Sequence, residues 1–189
     1  MLTAGTLEAA FGVYWDEMRR CRDAGAYWSL LHVTTCLPAI CAAMQTDSGD
    51  TRGEDKKLYT AWCDQYLQEP RLNGVECYEM RCKILHQGRA QAAAGRYAGF
   101  AFIQPAPAGQ PYHLVVENES KLVLDVSRLA DGMQQAARRW IGVLESSPNT
   151  PAAINASRHV TSLVQVRPFR VPQAPGTPPT SWPISSRTS

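Results

Sequence analysis

Between Tyr78 and Gly88 the chain reads YEMRCKILHQG: Arg81, four intervening residues, then His86 and Gln-Gly. A guanidinium grips phosphate oxygens in a planar, two-pronged fashion. An imidazole near neutrality carries protons as general base or acid. Fifteen arginines and four histidines in 189 residues bring such a pair together readily by chance, so the setting must carry the weight. The bland alternative is that His86 caps carbonyls at a helix end while Arg81 pairs with Glu76, Glu79 or a neighbouring helix.

A helix is expected from about Val75 to about Gly88, glycine being favoured just past a helix end. At ~100° per residue, Val75, Tyr78, Cys82 and Leu85 form one apolar stripe. Arg81 then lies about 60° to one side of it and His86 about 70° to the other, on the two shoulders of the packed face. His86 falls in the last turn, where free carbonyls favour the imidazolium, raising its pKa into a useful range for proton transfer. Lys83 and Gln87 fall on the His86 side.

The remaining elements must position this helix. Residues 4–23 carry Leu7, Phe11, Tyr14, Trp15 and Met18 at helical spacing. A mostly apolar helix follows over about 26–44, kinked or restarted at Pro38. A third, about 54–68, presents Leu58, Ala61, Trp62 and Leu67. The runs 97–103 and 112–116 flank a proline-glycine loop and predict a β-hairpin. Helical spacing returns through Val126, Leu129, Met133, Ala137, Trp140 and Leu144, with Ser127 as a candidate cap. Beyond Ser146 the composition turns to Ser, Thr and Pro, although 160–169 could form a strand or dock; a largely disordered tail is expected over 147–189. The fold class is therefore mainly α: four to five helices over 1–146 with a small inserted hairpin at about 97–116.

The charge is uneven. From Pro151 onward there are four arginines and no acid, while the first 150 residues carry a slight net negative charge. Such a body does not trap nucleic acid electrostatically, so any RNA or DNA binding must be local. The arginine excess over lysine is also what a GC-rich coding sequence produces. No basic start followed by an apolar run marks a secretory signal, and "LLHVTTCLPAICAAM" is too short and too polar for a span, so it reads as buried core. Six cysteines in that context point to reduced thiols in the cytoplasm.

Cys82 and His86 share a helix face, and Cys77 and Cys63 are near in sequence or element. No close cysteine pair accompanies them, so free thiols rather than zinc are expected. Cys36 and Cys41 read as small core residues, and His32 as a satisfied core histidine. His113 reads as structural or solvent-facing. "RCRD" and "ARRW" read as solvated helix faces. No glycine-rich phosphate loop, serine-histidine triad or dinucleotide fingerprint is present.

"YEMRCKILHQG" resembles the signature of HEPN-domain proteins, an arginine, four to six residues and a histidine near a helix end in an all-α bundle. The flanks "LLHV…LPAICAAM", "LYTAWCDQYL", "RYAGFAFIQP…YHL" and "LDVSRLADGMQQAARRW" are similar to one uncharacterised bacterial branch of that family, over about residues 26–145. The resemblance implies a metal-independent, cofactor-free endoribonuclease acting as a homodimer, with a toxin or phage-defence role and an antitoxin or regulatory partner as options. Arg81 and His86 match the catalytic positions. Lys83, Gln87 and Arg89 are the expected contacts to the RNA backbone. Many nuclease members carry a polar residue after the arginine; here it is Cys82, a weak hydrogen-bond donor. Some HEPN domains are non-catalytic modules that bind RNA or a partner protein, and that is the alternative. Arg81 and His86 are about 140° apart around the helix and ~7.5 Å apart along it. One helix scarcely closes both on a single phosphodiester, whereas a two-fold axis brings two of each together.

Overall fold

The structure is a computed structural model that describes residues 5–87, 95–105, 112–118 and 120–163; of His86 and Gln87 it describes the backbone. The element order is α1 (Thr6–Asp23), α2 (Tyr27–Gln45), α3 (Asp55–Tyr66), α4 (Gly74–Gln87), β1 (Gly99–Ile103), β2 (Val115–Glu117), β3 (Lys121–Asp125), α5 (Val126–Ser146) and α6 (Pro151–His159), closed by a 3₁₀ turn over Val160–Ser162. The chain is mainly α with a small three-stranded sheet.

The apolar α2 is the hub and packs against α1, α3, α4, α5 and α6. Such a helix is hydrophobic all round because neighbours surround it. It is the one described helix long and apolar enough to cross a membrane, and half of that stretch is buried inside the bundle. Pro38 does not interrupt it. Thr34 and Thr35 turn their hydroxyls back to the carbonyls of Leu30 and Leu31 (2.7 and 2.9 Å). The Tyr59 hydroxyl donates to the Thr35 carbonyl at 3.0 Å, tying α3 to α2 beside the proline. The core's largest fully buried side chains include Trp140, Tyr59, Phe11 and Met133.

On α3 and α4 the buried stripe is not the one expected. In α3 it is Tyr59, Trp62, Cys63 and Tyr66, an i, i+3, i+4, i+7 set visible once Tyr and Cys count as apolar; of the expected residues Trp62 and Leu67 are buried, Leu58 is half-buried and Ala61 is exposed. In α4 it is Cys77, Met80 and Ile84, while Val75, Tyr78, Cys82 and Leu85 are half-buried. Both rotations follow from a close approach. A Cβ at Gly74 would lie 2.6 Å from the Thr60 Cα, and the Gly74 N–H donates to the Asp64 carboxylate at 2.6 Å. Pressed backbone against backbone there, α4 is locked in rotation against α3.

The sheet order is β1-β3-β2. The expected hairpin between 97–103 and 112–116 does not form: β1 pairs with β3 in parallel, Gly99 opposite Lys121 through Ile103 opposite Asp125. The hairpin is β2–β3, with Val115 opposite Val123, turning through Asn118 at φ 47°. A short apolar run such as Leu122–Leu124 suits a strand or a helix, and pairing with β1 and β2 makes it a strand. Here it ends at Asp125, whose carboxylate accepts from Ser127 N–H (2.9 Å) and Arg128 N–H (3.1 Å). Asp125, not Ser127, is therefore the N-cap of α5.

The folded unit also extends past Ser146. Thr150 caps α6, its hydroxyl accepting from Ala153 N–H at 3.3 Å, with Pro151 in the first turn. α6 buries Ala153 and Ala156, and Asn155 donates to the Gln45 carbonyl at 2.9 Å. The remainder of the expected tail, 164–189, lies outside the described residues.

Candidate functional site

Arg81 lies on α4 where that helix meets α2 and α3. Its guanidinium stacks over Tyr59, Cζ to ring centroid 5.6 Å. Tyr59 meets Tyr78 edge-on, 5.6 Å between centroids at 70°, and the Lys56 ammonium sits 6.0 Å from the Tyr78 centroid. The half-buried Cys36 of α2 lies close enough for Arg81 to favour its thiolate, although burial still holds the thiol above its ordinary value. That leaves Cys36 a protonated, inert thiol at neutral pH. It lines the Arg81 site rather than filling the core as expected.

Arg81 makes no ion pair among the described residues, neither with Glu76 nor with Glu79. Its Nε is buried and meets no acceptor among them. Glu76 is engaged elsewhere. Its carboxylate accepts from Asn73 N–H (2.9 Å) and from Arg96 through the backbone N–H (3.1 Å), Nε (3.1 Å) and an Nη (3.2 Å). Burial pushes this carboxyl up, but those hydrogen bonds outweigh it and hold it below the usual carboxylate range. The Asn73 side chain in turn accepts from Val75 and Glu76 N–H, a reciprocal cap that starts α4.

Helical geometry corrects the expected placement of the pair. At ~100° per residue, Arg81 sits about 65° from the centre of the Cys77–Met80–Ile84 stripe, on a shoulder as expected. Backbone position 86 sits about 150° from that centre, nearly opposite the buried face instead of on the second shoulder. α4 is described as far as Gln87, so the expected placement of His86 in a last turn lies at the limit of the described residues. The side chains of His86 and Gln87, and Arg89 altogether, lie outside the described residues. Lys83 is half-buried on the same helix. Cys82 is half-buried beside the Tyr78 hydroxyl, whose pKa is raised by burial and by the neighbouring thiol.

The other candidates resolve into structural roles. Cys63 and Cys77 are buried side by side across α3 and α4, and no three metal-ligating side chains converge among the described residues. His32 is not in the core: it is half-exposed, stacks edge-on against Trp28 at 4.6 Å, and its Nδ1 meets the Trp28 carbonyl at 2.7 Å. His113 accepts a hydrogen bond from Asp125 N–H at Nδ1 (3.1 Å), and burial lowers its pKa. It pins β2 to the start of α5. Of "RCRD", Arg20 and Arg22 pair with Glu17 and Asp131. Of "ARRW", Arg138 pairs with Glu8, and the half-buried Arg139 donates to the Tyr66 and Leu67 carbonyls that end α3.

Tyr59, Tyr78, Cys36 and Lys56 are therefore the neighbours of Arg81 that sequence spacing alone did not single out. Only the α3 stripe carried a signal for one of them, Tyr59. No protein-family model, no curated protein and no solved structure matches the chain.

Proposed function

We propose that the chain is a metal-independent endoribonuclease of HEPN type, working as a two-fold homodimer. The observation that carries this reading is the state of Arg81. A half-buried guanidinium with an orphaned Nε and no carboxylate among the described residues is a seat awaiting an anion, because buried donors left unpaired are costly. Position 86 adds to it. Its backbone lies on the side of α4 away from the buried stripe, which supports a site completed by a second subunit rather than by Arg81 of the same chain.

In this mechanism the RNA 2′-hydroxyl attacks its own phosphorus. His86 takes the hydroxyl proton or returns one to the departing 5′-oxygen. Arg81 stabilises the charge that grows on the phosphoryl oxygens. The P–O5′ bond breaks as the new P–O2′ bond forms, leaving a 2′,3′-cyclic phosphate and a 5′-hydroxyl. DNA, which has no 2′-hydroxyl, survives. Lys83, Gln87 and Arg89 contact the RNA backbone.

A second reading is a non-catalytic HEPN-like module that binds RNA or a partner protein. The stacking of Arg81 on Tyr59 favours it, since a guanidinium held on a ring face is a good grip even without a proton carrier. Incubation with total RNA in EDTA separates the two. Wild type is expected to yield fragments ending in cyclic phosphate, and Arg81→Ala and His86→Ala to lose at least about a hundredfold in rate. Equal cleavage by all three ends the catalytic reading; binding without cleavage by wild type selects the module.

A further inference from the structure

Most cations on the described surface are neutralised by acids of the same chain: Arg19 by Asp16 and Asp23, Arg22 by Asp131, Arg138 by Glu8, Arg158 by Asp47. Lys57 follows the same rule, 2.9 Å from Glu54. Its neighbour Lys56 does not. Lys56 makes no ion pair among the described residues and holds its ammonium over the face of Tyr78. The acid on the same turn, Asp55, is engaged by the Thr51 hydroxyl.

Lys56, Tyr78, Tyr59 and Arg81 follow one another in an unbroken row across α3 and α4, each contact no longer than 6.0 Å. Two cations without counter-ions thus stand at the ends of a pair of aromatic rings, one of which, Tyr78, is half-buried and reachable. We propose that Lys56 and Tyr78 extend the Arg81 seat into a short cation–aromatic track for single-stranded RNA, with Lys56 holding a phosphate next to the one at Arg81. This rests on the RNA reading above and adds to it a substrate-binding residue and a strand preference.

The chemistry favours a single strand. Duplex binding needs many phosphates neutralised at once, and much of the positive charge on the described surface is already paired with acids of the same chain. A few nucleotides of single strand need only a local row of charge with rings against which bases pack. Lysine suits the outer position: a compact charge on a flexible stem follows a mobile backbone, while the planar arginine fixes the reacting phosphate.

The test uses the full chain carrying His86→Ala, so that bound RNA is not consumed, and a fluorescein-labelled single-stranded oligoribonucleotide titrated by anisotropy across a NaCl series. Adding Lys56→Gln is expected to weaken binding on the order of fivefold at low salt. It should also reduce the steepness of log K against log salt by about 0.7, the share of one phosphate contact on a single strand. Lys57→Gln is expected to change neither, and a duplex of the same length to bind more weakly than the single strand. An unchanged affinity and slope with Lys56→Gln, while Arg81→Ala abolishes binding, overturns the track and leaves the endoribonuclease reading standing. Tighter binding of the duplex also overturns it. Failure of the parent to bind any RNA sinks the track and the RNA reading together. Thermal melting of each variant shows that the exposed substitutions leave the fold intact.

Discussion

Glu76 and Arg81 lie five residues apart on α4, and the bundle treats their charges in opposite ways. The buried carboxylate of Glu76 has every partner it needs: Asn73 N–H on one side, and the backbone, Nε and Nη of Arg96 on the other. That closure fastens the start of α4 and draws residues 95–97 back onto it. Arg81 is only half-buried, yet its Nε has no acceptor among the described residues and its guanidinium rests on a ring. A charge serving the fold is matched within the chain, because an unmatched one in a low-dielectric setting destabilises it. A charge kept for a ligand must be left open. The contrast sets Glu76 in the architecture and leaves Arg81 open to the role proposed for it.

The largest effect expected on the architectural side comes from Gly74→Ala. Its methyl group would meet the Thr60 backbone, which cannot step aside as a side chain can, so the cost is about 3 kcal/mol in urea unfolding. Next is Glu76→Ala, which strands Arg96 and Asn73 N–H. Because Arg96 is itself half-exposed, the penalty for a broken buried pair is discounted to about 2 kcal/mol.

The sign of the Glu76 contribution with pH follows from its lowered pKa. It is fully present above the unfolded carboxyl value of about 4.3 and is lost as pH falls through the lower folded value. Glu76→Gln should flatten that part of the acid limb, and an unchanged limb would show the closure to be idle. Tyr59→Phe keeps the ring under Arg81 but leaves the Thr35 carbonyl without its donor. It is expected to cost about 1–2 kcal/mol and to preserve RNA binding.

Arg81→Ala should cost under about 1 kcal/mol, the scale of a partly exposed cation–π contact, while abolishing binding and cleavage. A stability loss equal to that of Glu76→Ala would erase the distinction between the two residues. The smallest effect belongs to His113, whose Nδ1 must be unprotonated to accept from Asp125 N–H. Since burial lowers its pKa, its contribution is complete above the unfolded value of about 6.5 and declines as pH falls from there through the folded value. Chemical denaturation in steps from pH 8 to pH 5 should show a shallow loss that His113→Gln removes.

How much of this was legible in the chain depends on the range of the interaction concerned. The helices α1 and α5 were readable because their apolar spacing recurs over several turns, and α2 because its apolar run is too long for a strand. The start of α6 was written just as locally, Thr150 followed by Pro151, but the Ser/Thr/Pro composition around it obscured the cap. Leu122–Leu124 was ambiguous in principle, because only pairing with β1 and β2 makes a short apolar run a strand. The faces of α3 and α4 were misread by about a quarter turn or more. Both helices carry apolar residues on more than one side, and the stripe that is buried is selected by the contact of Gly74 with Thr60, a meeting of two backbones on different helices that local spacing does not record.

For the site the division is sharper. The order of residues 78–88 alone put an arginine and a histidine on one helix, about 140° apart around it. No reading of one helix could tell which of them its own bundle would face. Packing decided that: the rotation of α4 set Arg81 on the edge of the buried face and position 86 nearly opposite it. It also brought Tyr59, Cys36 and, through Tyr78, Lys56 to the arginine from two other helices. Side chains that meet across helices are chosen by how surfaces interlock, and local spacing carries no record of that.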